Sequence, residues 1–246
     1  MPELIDKLIK DGHTETAEEL KKYYHNAVYL TSKEYPDSIP VGASKCGGFP
    51  DLPPEIDYPT MSEYTLTWLN WNKGKVEHYE KSAMQLMAQI NLYELAESGA
   101  DLENLLPKTG MIYIFWSGET MKLENNKGFE FIIKESDKTA THKIIYWDGD
   151  MSTLKRTGPP CRYYSKYFDE YDKCFSERAV EFDSCEEYKN NKNHYFNNKL
   201  FGFPQGFANQ SQLDKTEINL FQFDCYDIFE GAMWEVYWIM KKSDLK

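Results

Sequence analysis

A short glycine–phenylalanine–proline motif occurs twice in this chain of 246 residues, and it constrains the fold more than any other feature. The first copy is SKCGGFP at residues 44–50, and the second is NKLFGFPQ at residues 198–205. Each copy is followed by an apolar segment that contains a glutamine, Gln89 or Gln222, and then by an aromatic, strand-like run, residues 111–116 or 234–240. The order of these features predicts two copies of one structural unit.

The composition of each motif predicts a rigid, bent loop. Glycine allows backbone conformations with positive φ or the close approach of another segment. A residue that precedes proline is restricted to extended conformations. We therefore expect each loop to carry its phenylalanine into the core. The loop residues concerned are Gly47, Gly48, Phe49, Pro50, Gly202, Phe203 and Pro204.

Gln89 and Gln222 lie in runs that are otherwise apolar. A buried amide side chain needs hydrogen-bond partners, and an irregular loop has backbone groups that no strand ladder satisfies. Our hypothesis is that each glutamine ties down the loop of its own unit. The alternative is a role in binding a ligand.

The overall pattern predicts an α+β fold, mainly antiparallel β with few helices, because strand-like runs dominate without regular βαβ alternation. We expect residues 1–25 to form a helical segment packed on the domain. Residues 26–246 are predicted to form a single domain of two related units, about 26–120 and 175–246, with a connecting β region. Residues 60–83 are predicted to form a two-stranded insertion in the first unit.

Several elements are predicted from local patterns. A strand is expected at residues 83–91, and a helix at residues 92–106. A hairpin is expected from residues 129–134 and 143–147. Residues 179–182 are predicted to form a short strand, and residues 185–195 a polar helix.

The charge balance limits the classes of partner. A net charge of -12 argues against nucleic acid and anionic membranes, which favour a basic surface. It permits a protein partner, and a basic one in particular. The N-terminus does not resemble a signal peptide, and the five cysteines form no Cys-x-x-Cys pair, so we predict a cytoplasmic location with reduced thiols. No apolar run approaches the roughly 18 residues of a membrane-spanning helix.

No set of residues forms a catalytic signature, which favours a protein without enzyme activity, and we predict no cofactor or metal. The five histidines are scattered without ligand spacing. A calcium-loop-like start at Asp148 lacks the glycine and glutamate that such a loop needs at positions six and twelve. Cys46 could be a nucleophile beside Lys45, but its position fits a packing role better.

Four motifs, taken in order, resemble the bacterial YwqG-like family. They are SKCGGFP at 44–50, AQINL at 88–92, LPKTG at 106–110 and KLFGFPQ at 199–205. The resemblance covers most of residues 26–246 and implies an α+β domain built by internal duplication. It implies no activity, because that family is largely uncharacterised. The repeated pattern is more distantly similar to the eukaryotic programmed-cell-death-two family, which is associated with escorting a ribosomal protein.

Three functions are compatible with these observations. The first is a protein-binding or chaperone-like module that uses the groove between two related units. The second is a small-molecule-binding protein or enzyme with a cleft between the units, which would need convergent polar groups with perturbed pKa values. The third is an immunity protein against a toxin, which an acidic and compact chain permits.

Overall fold

A computed structural model shows a fold dominated by β-strands. It describes residues 2–21, 24–33, 35, 37–61, 64–67, 76–79, 81–117, 132–134, 142–163, 174–188, 198–204, 213, 216–224 and 235–245. Within these ranges the chain forms sixteen strands and three α-helices. This confirms the predicted α+β class with mainly antiparallel strands and few helices.

The strands are short apart from those of one large sheet. They are β1 (Tyr24–Lys33), β2 (Lys45–Cys46), β3 (Asp51–Leu52), β4 (Thr60–Met61), β5 (Tyr64–Thr67), β6 (Val76–Tyr79), β7 (Ser82–Ala83), β8 (Gln85–Asn91), β9 (Met111–Trp116), β10 (Ile132–Lys134), β11 (His142–Trp147), β12 (Lys155–Arg156), β13 (Arg178–Tyr188), β14 (Lys199–Phe201), β15 (Glu217–Asp224) and β16 (Glu235–Lys241).

Ten of these strands form the large sheet, in the order β10-β16-β15-β14-β1-β13-β2-β8-β9-β11. All neighbours are antiparallel except β10 and β16. The two central strands, β1 and β13, pair continuously from Tyr24 opposite Tyr188 to Lys33 opposite Ala179. The strands that carry the two motifs flank this pair, β14 beside β1 and β2 beside β13.

Three further two-stranded sheets lie outside the large one, formed by β3 with β12, β4 with β7, and β5 with β6. The pairs β4–β7 and β5–β6 lie within residues 60–83. They confirm the two-stranded excursion predicted there.

Side chains on the two faces of the sheet enter different apolar clusters. On β9, Ile112 and Ile114 belong to the larger cluster, which also contains Val28 of β1. The alternate residues Tyr113 and Phe115 belong to a second cluster formed with the loops over that end of the sheet. The sheet is thus apolar on both faces at β8 and β9, as the strand predicted at residues 83–91 requires.

The helices are peripheral. α1 (Pro2–Lys10) and α2 (Thr14–Lys21) precede β1, and each buries a residue, Ile5 and Ala17 respectively. α3 (Leu92–Ser98) connects β8 to β9. In the part of the chain that the structure describes, no helix is long and apolar enough to span a membrane.

The helix predicted for residues 92–106 is shorter than expected. Asn91 begins α3, because its side chain accepts hydrogen bonds from the backbone N–H groups of Tyr93 and Glu94. Gly99 ends it in the left-handed conformation. The residues beyond Gly99 follow turns, one of which is fixed by Asp101, whose carboxylate accepts from two backbone N–H groups.

Two other predictions are wrong. The expected hairpin is not present among the described residues, where β10 pairs with β16 and β11 pairs with β9. The short strand at 179–182 continues through residues 185–188, where a helix was expected. Partner strand β1 opposes all of β13 except Arg178, and this tertiary pairing overrides the polar, helix-like composition of its second half. Residues 189–195 lie outside the described residues.

Candidate functional site

We call residues 44–51 the first corner, and its centre is the buried side chain of Lys45. The Nζ atom of Lys45 donates to the Phe49 carbonyl oxygen at 2.6 Å and to Glu177 Oε1 at 2.7 Å. The first bond closes the loop on itself. The second fixes it to the residue that precedes β13, with the added strength of a charge-assisted bond.

Two more charged groups complete the network of the first corner. The buried carboxylate of Asp51 lies 3.7 Å from Lys45 Nζ and accepts from Arg156 Nε at 2.8 Å. Arg156 also contacts Glu177, so two cations and two anions alternate. Burial alone would raise the pKa of Asp51, but the hydrogen bonds from Arg156, Gln89 and the Gly42 N–H, together with the charge of Lys45, hold that pKa below its usual value. Burial lowers the pKa of Lys45 against the opposing effect of Glu177.

Gln89 joins β8 to both ends of the first corner. Its side chain is fully buried. Its Nε2 donates to the Ala43 carbonyl oxygen and to Asp51 Oδ2, both at 2.9 Å, and its Oε1 accepts from the Asp51 backbone N–H at 2.7 Å. The amide thereby satisfies loop backbone groups that no strand ladder reaches.

We call residues 198–204 the second corner, and it repeats the lysine contact. Lys199 is buried, and its Nζ donates to the Phe203 carbonyl oxygen at 2.7 Å and to Glu187 Oε1 at 2.6 Å. Glu187 also accepts from the Phe203 backbone N–H at 2.8 Å and from the Tyr29 hydroxyl at 3.0 Å. A glutamate of β13 therefore holds this corner, as Glu177 holds the other.

Each corner contains two consecutive residues with positive φ. They are Gly47 (67°) and Gly48 (71°) in the first, and Phe201 (61°) and Gly202 (70°) in the second. A Cβ atom on Gly47 would lie 2.4 Å from the Ser176 carbonyl oxygen, so glycine is required there. Phe201 adopts this conformation with its side chain buried in the core.

The two motif phenylalanines differ in burial. Phe203 is buried and contacts the His25 ring edge-on at 4.5 Å. Phe49 is 38% exposed, so the expectation that it enters the core is wrong. A glutamate side chain lies against the glycine before the phenylalanine in both corners, Glu177 at Gly48 and Glu187 at Gly202. Pro50 and Pro204 are both buried.

Both corners begin a row of three residues on adjacent strands, a lysine, a glutamine and a tyrosine. The rows are Lys45–Gln89–Tyr113 on β2, β8 and β9, and Lys199–Gln222–Tyr237 on β14, β15 and β16. Gln222 is fully buried in the same register position as Gln89. The hydrogen bond from Gln222 to its own loop stays a prediction.

Between the corners, the two central strands present one face that we call the central face. It carries Tyr29, Thr31 and Lys33 of β1, opposite Asp183, Glu181 and Ala179 of β13. Glu181, Asp183 and Lys33 are exposed, and Tyr29 and Thr31 are half-buried. The Thr31 hydroxyl donates to Asp183 Oδ2 at 2.8 Å.

The strand register places the two corners diagonally across the central face. Lys199 is opposite Tyr29, and Lys45 is opposite Ala179. Residues directly opposite one another in an antiparallel pair project from the same face of a sheet. The rigid corners therefore stand on either side of exposed carboxylates.

Cys46 and Asp150 lie in the two sequence features that were considered as possible chemical sites, and both have structural roles. Burial raises the pKa of Cys46 to about 12, so its thiol is protonated and packs in the core instead of acting as a nucleophile. Asp150 accepts from the Ser152 backbone N–H and begins a short 3-10 helix. Across the described ranges, no group of three or more His, Cys, Asp or Glu residues could hold a metal ion.

Sequence reasoning missed the partners of the corner lysines. They are Asp51, Glu177 and Glu187, and sequence reasoning also missed Arg156, which pairs with Asp51 and Glu177. A signal for the lysines themselves was present, since each stands four residues before the phenylalanine of its motif. No local pattern points to Glu177, which is 132 positions from Lys45.

These features define an α+β protein in which two lysine-anchored loops flank the central strands of one large sheet. Residues 44–246 match the model of a family described as a domain of unknown function, DUF1963. The chain belongs to this family. A comparison with curated proteins gave no match. Because the matched region begins at residue 44, the central strand β1 precedes it.

Proposed function

We propose that this protein is a chaperone-like, protein-binding module that holds a basic segment of a partner on the central face. The observation that carries the proposal is the exposure of Glu181 and Asp183 between the two corners. A net charge of -12 adds a long-range attraction for a cationic partner.

The spacing of the carboxylates fits an extended ligand. Glu181 and Asp183 are two residues apart on one strand, a distance of about 7 Å. Alternate side chains of an extended peptide have the same spacing. Corners anchored by buried lysines would keep this face in place, so less entropy would be lost on binding.

The proposal includes the origin and setting of the module. We take the two corners to be copies of one unit, because each has a buried lysine, a glutamate partner and the same row across three strands. The order of the four sequence motifs supports a place among the YwqG-like proteins of the family. A cytoplasmic location agrees with the free thiols of Cys46, Cys161, Cys174 and Cys185.

A peptide titration tests the proposal. The probe is a fluorescent peptide about ten residues long in which lysine alternates with serine, an extended length that covers a typical strand. Binding should weaken as salt rises. The double variant Glu181→Gln and Asp183→Asn should weaken binding about tenfold, which is about 1.4 kcal/mol.

The matched control removes the same charge elsewhere. Glu15→Gln with Glu18→Gln changes two exposed carboxylates of α2. This variant should bind the peptide with less than about twofold loss, since α2 is not part of the central face. Equal losses in the two double variants would show only nonspecific attraction and would refute the central face as the site.

A further inference from the structure

Among the described residues, the strand at one end of the large sheet has no neighbour on its outer side. Among the described residues, β11 is hydrogen-bonded to β9 and to no strand on its other side. The opposite end of the sheet is β10, which has three residues, whereas β11 has six. Natural edges are commonly protected by being very short, and β11 is not.

The geometry of β11 is regular. Its ladder with β9 runs from His142 opposite Trp116 to Trp147 opposite Met111 without a register shift. It contains no proline, and Lys143 is its only Lys, Arg, Asp or Glu residue. Bulges, prolines and multiple charges are the usual devices that prevent another strand from pairing with an edge. Within β11, Lys143 is the one feature of this kind.

Apolar side chains on β11 are exposed. Ile144 is 36% exposed and Tyr146 is 49% exposed, and they are alternate residues on the same face. In strand addition, the main chain supplies the hydrogen bonds and alternate side chains supply the selectivity. The exposed pair would favour a strand with apolar residues at alternate positions.

The charges near β11 favour a foreign strand over a second copy of this chain. Exposed Asp148 and Asp150 follow the strand directly. Two copies that each carry a net charge of -12 repel one another, whereas a strand with basic flanks is attracted.

We propose that β11 is a second interaction surface, which adds an extended segment of another protein to the sheet edge, with apolar residues at alternate positions and basic residues at its ends. This surface is distinct from the central face, because recognition depends on main-chain hydrogen bonds along His142–Trp147. Ile144 and Tyr146 contact the alternate apolar residues.

Hydrogen exchange with a defined probe tests the proposal. The probe is a synthetic peptide about ten residues long, alternating valine and threonine with lysines at both ends. Its addition should slow exchange of outward-facing β11 amides by about tenfold or more, while the β5–β6 hairpin stays unchanged. The same peptide with N-methyl groups on four consecutive central residues should give no protection, because donors on both of its edges are lost.

Variants distinguish specific binding at the β11 edge from nonspecific hydrophobic binding. Ile144→Glu with Tyr146→Glu should weaken binding about tenfold, or about 1.4 kcal/mol. Leu102→Glu introduces the same chemistry at another exposed apolar residue and should leave binding unchanged. The Glu181→Gln and Asp183→Asn variant should also bind normally, so failure at the edge and failure at the central face are distinguishable.

Three results would overturn the proposal. The first is equal binding of the N-methylated peptide. The second is an unchanged exchange rate at His142–Trp147 with saturating peptide. The third is protection of these amides by raising the protein concentration without peptide, which would assign the edge to a second copy of the chain.

Discussion

At the scale of single residues, each corner depends on a lysine that is removed from water. Desolvation of an ammonium group costs several kcal/mol, which only close partners can offset. Lys45 and Lys199 each have a carboxylate and a carbonyl oxygen within 2.7 Å. The two carboxylates differ, since the side chain of Glu177 is 29% exposed and that of Glu187 is 1% exposed. Loss of Lys199 would therefore leave a fully buried carboxylate, whereas loss of Lys45 would leave one that is partly exposed to water.

Replacing the two lysines should give different losses of stability. Lys199→Met removes the cation beside the buried carboxylate of Glu187 and should lower the free energy of unfolding by about 3–5 kcal/mol. Lys45→Met leaves Glu177 with Arg156 and partial access to water, so we expect about 1–3 kcal/mol. Urea denaturation of both variants measures the difference. An equal loss, or a larger one for Lys45→Met, would contradict the assigned role of burial.

The stability of the fold should depend on His25 in mildly acidic solution. Burial lowers the pKa of His25 from 6.5, against the opposing effect of Glu103. The unfolded chain therefore binds the proton more readily, and stability is lost as pH falls from about 6.5 through the lower folded pKa, at about 1.4 kcal/mol per unit of difference.

The substitution His25→Phe keeps a ring against Phe203 and removes this titration. The fall in unfolding free energy between pH 7.5 and pH 5.5 should become smaller in the variant, as measured by urea denaturation at each pH. Part of the fall should remain, because burial also lowers the pKa of His142. If the stability of His25→Phe depends on pH as that of the wild type does, burial of His25 does not contribute to the pH dependence.

At the scale of elements, the corners are turns whose backbone and surroundings must both fit. Gly47 and Gly99 have the same φ of 67°. An added Cβ would meet the Ser176 carbonyl oxygen at Gly47 and nothing within 4 Å at Gly99. The two positions separate the backbone conformation from the close approach of a neighbouring segment.

Alanine at these two glycines should therefore differ in effect. Gly99→Ala should cost about 1 kcal/mol through the left-handed conformation alone. Gly47→Ala should cost about 3 kcal/mol or more, because the backbone near Ser176 must also move. Thermal and urea unfolding of the two variants would measure the cost of the backbone conformation and the added cost of the contact with Ser176. Similar losses of stability in both variants would show that this contact is easily relieved.

Local patterns predicted elements well where the chain itself specifies them. The motif glycines adopt positive φ, and β9 begins and ends at the predicted residues, Met111 and Trp116. Local patterns failed where pairing with a distant segment decides the structure. β13 is a strand because β1 pairs with it, and β11 pairs with β9 instead of β10. The network of the first corner also could not be predicted from local patterns, since Glu177 and Arg156 come from segments far from Lys45 in sequence.

At the scale of the whole molecule, β1 is the connection between the two halves of the sheet. It pairs with β13 on one side and with β14 on the other. The family match begins at residue 44 and so leaves this strand out. The folded unit must nevertheless include it, because without it two strands would have open edges in the middle of the sheet.

Truncation should distinguish the matched region from the folded unit. A chain of residues 24–246 lacks α1 and α2 but keeps β1, and it should unfold cooperatively in urea with near-ultraviolet circular dichroism close to that of the full chain. A chain of residues 44–246 should lack a cooperative transition or aggregate. Cooperative unfolding of the shorter chain would show that β13 and β14 can close the sheet without β1.

The central position of β1 also sets an order of events during synthesis. β1 ends at Lys33, but β13 and β14 end only at Tyr188 and Phe201. At about 5–20 residues per second, the ribosome takes roughly ten to thirty seconds to deliver both neighbours of β1. Long-range pairing of this kind also slows folding after release. The nascent chain therefore carries an unpaired central strand until β13 and β14 have both been made.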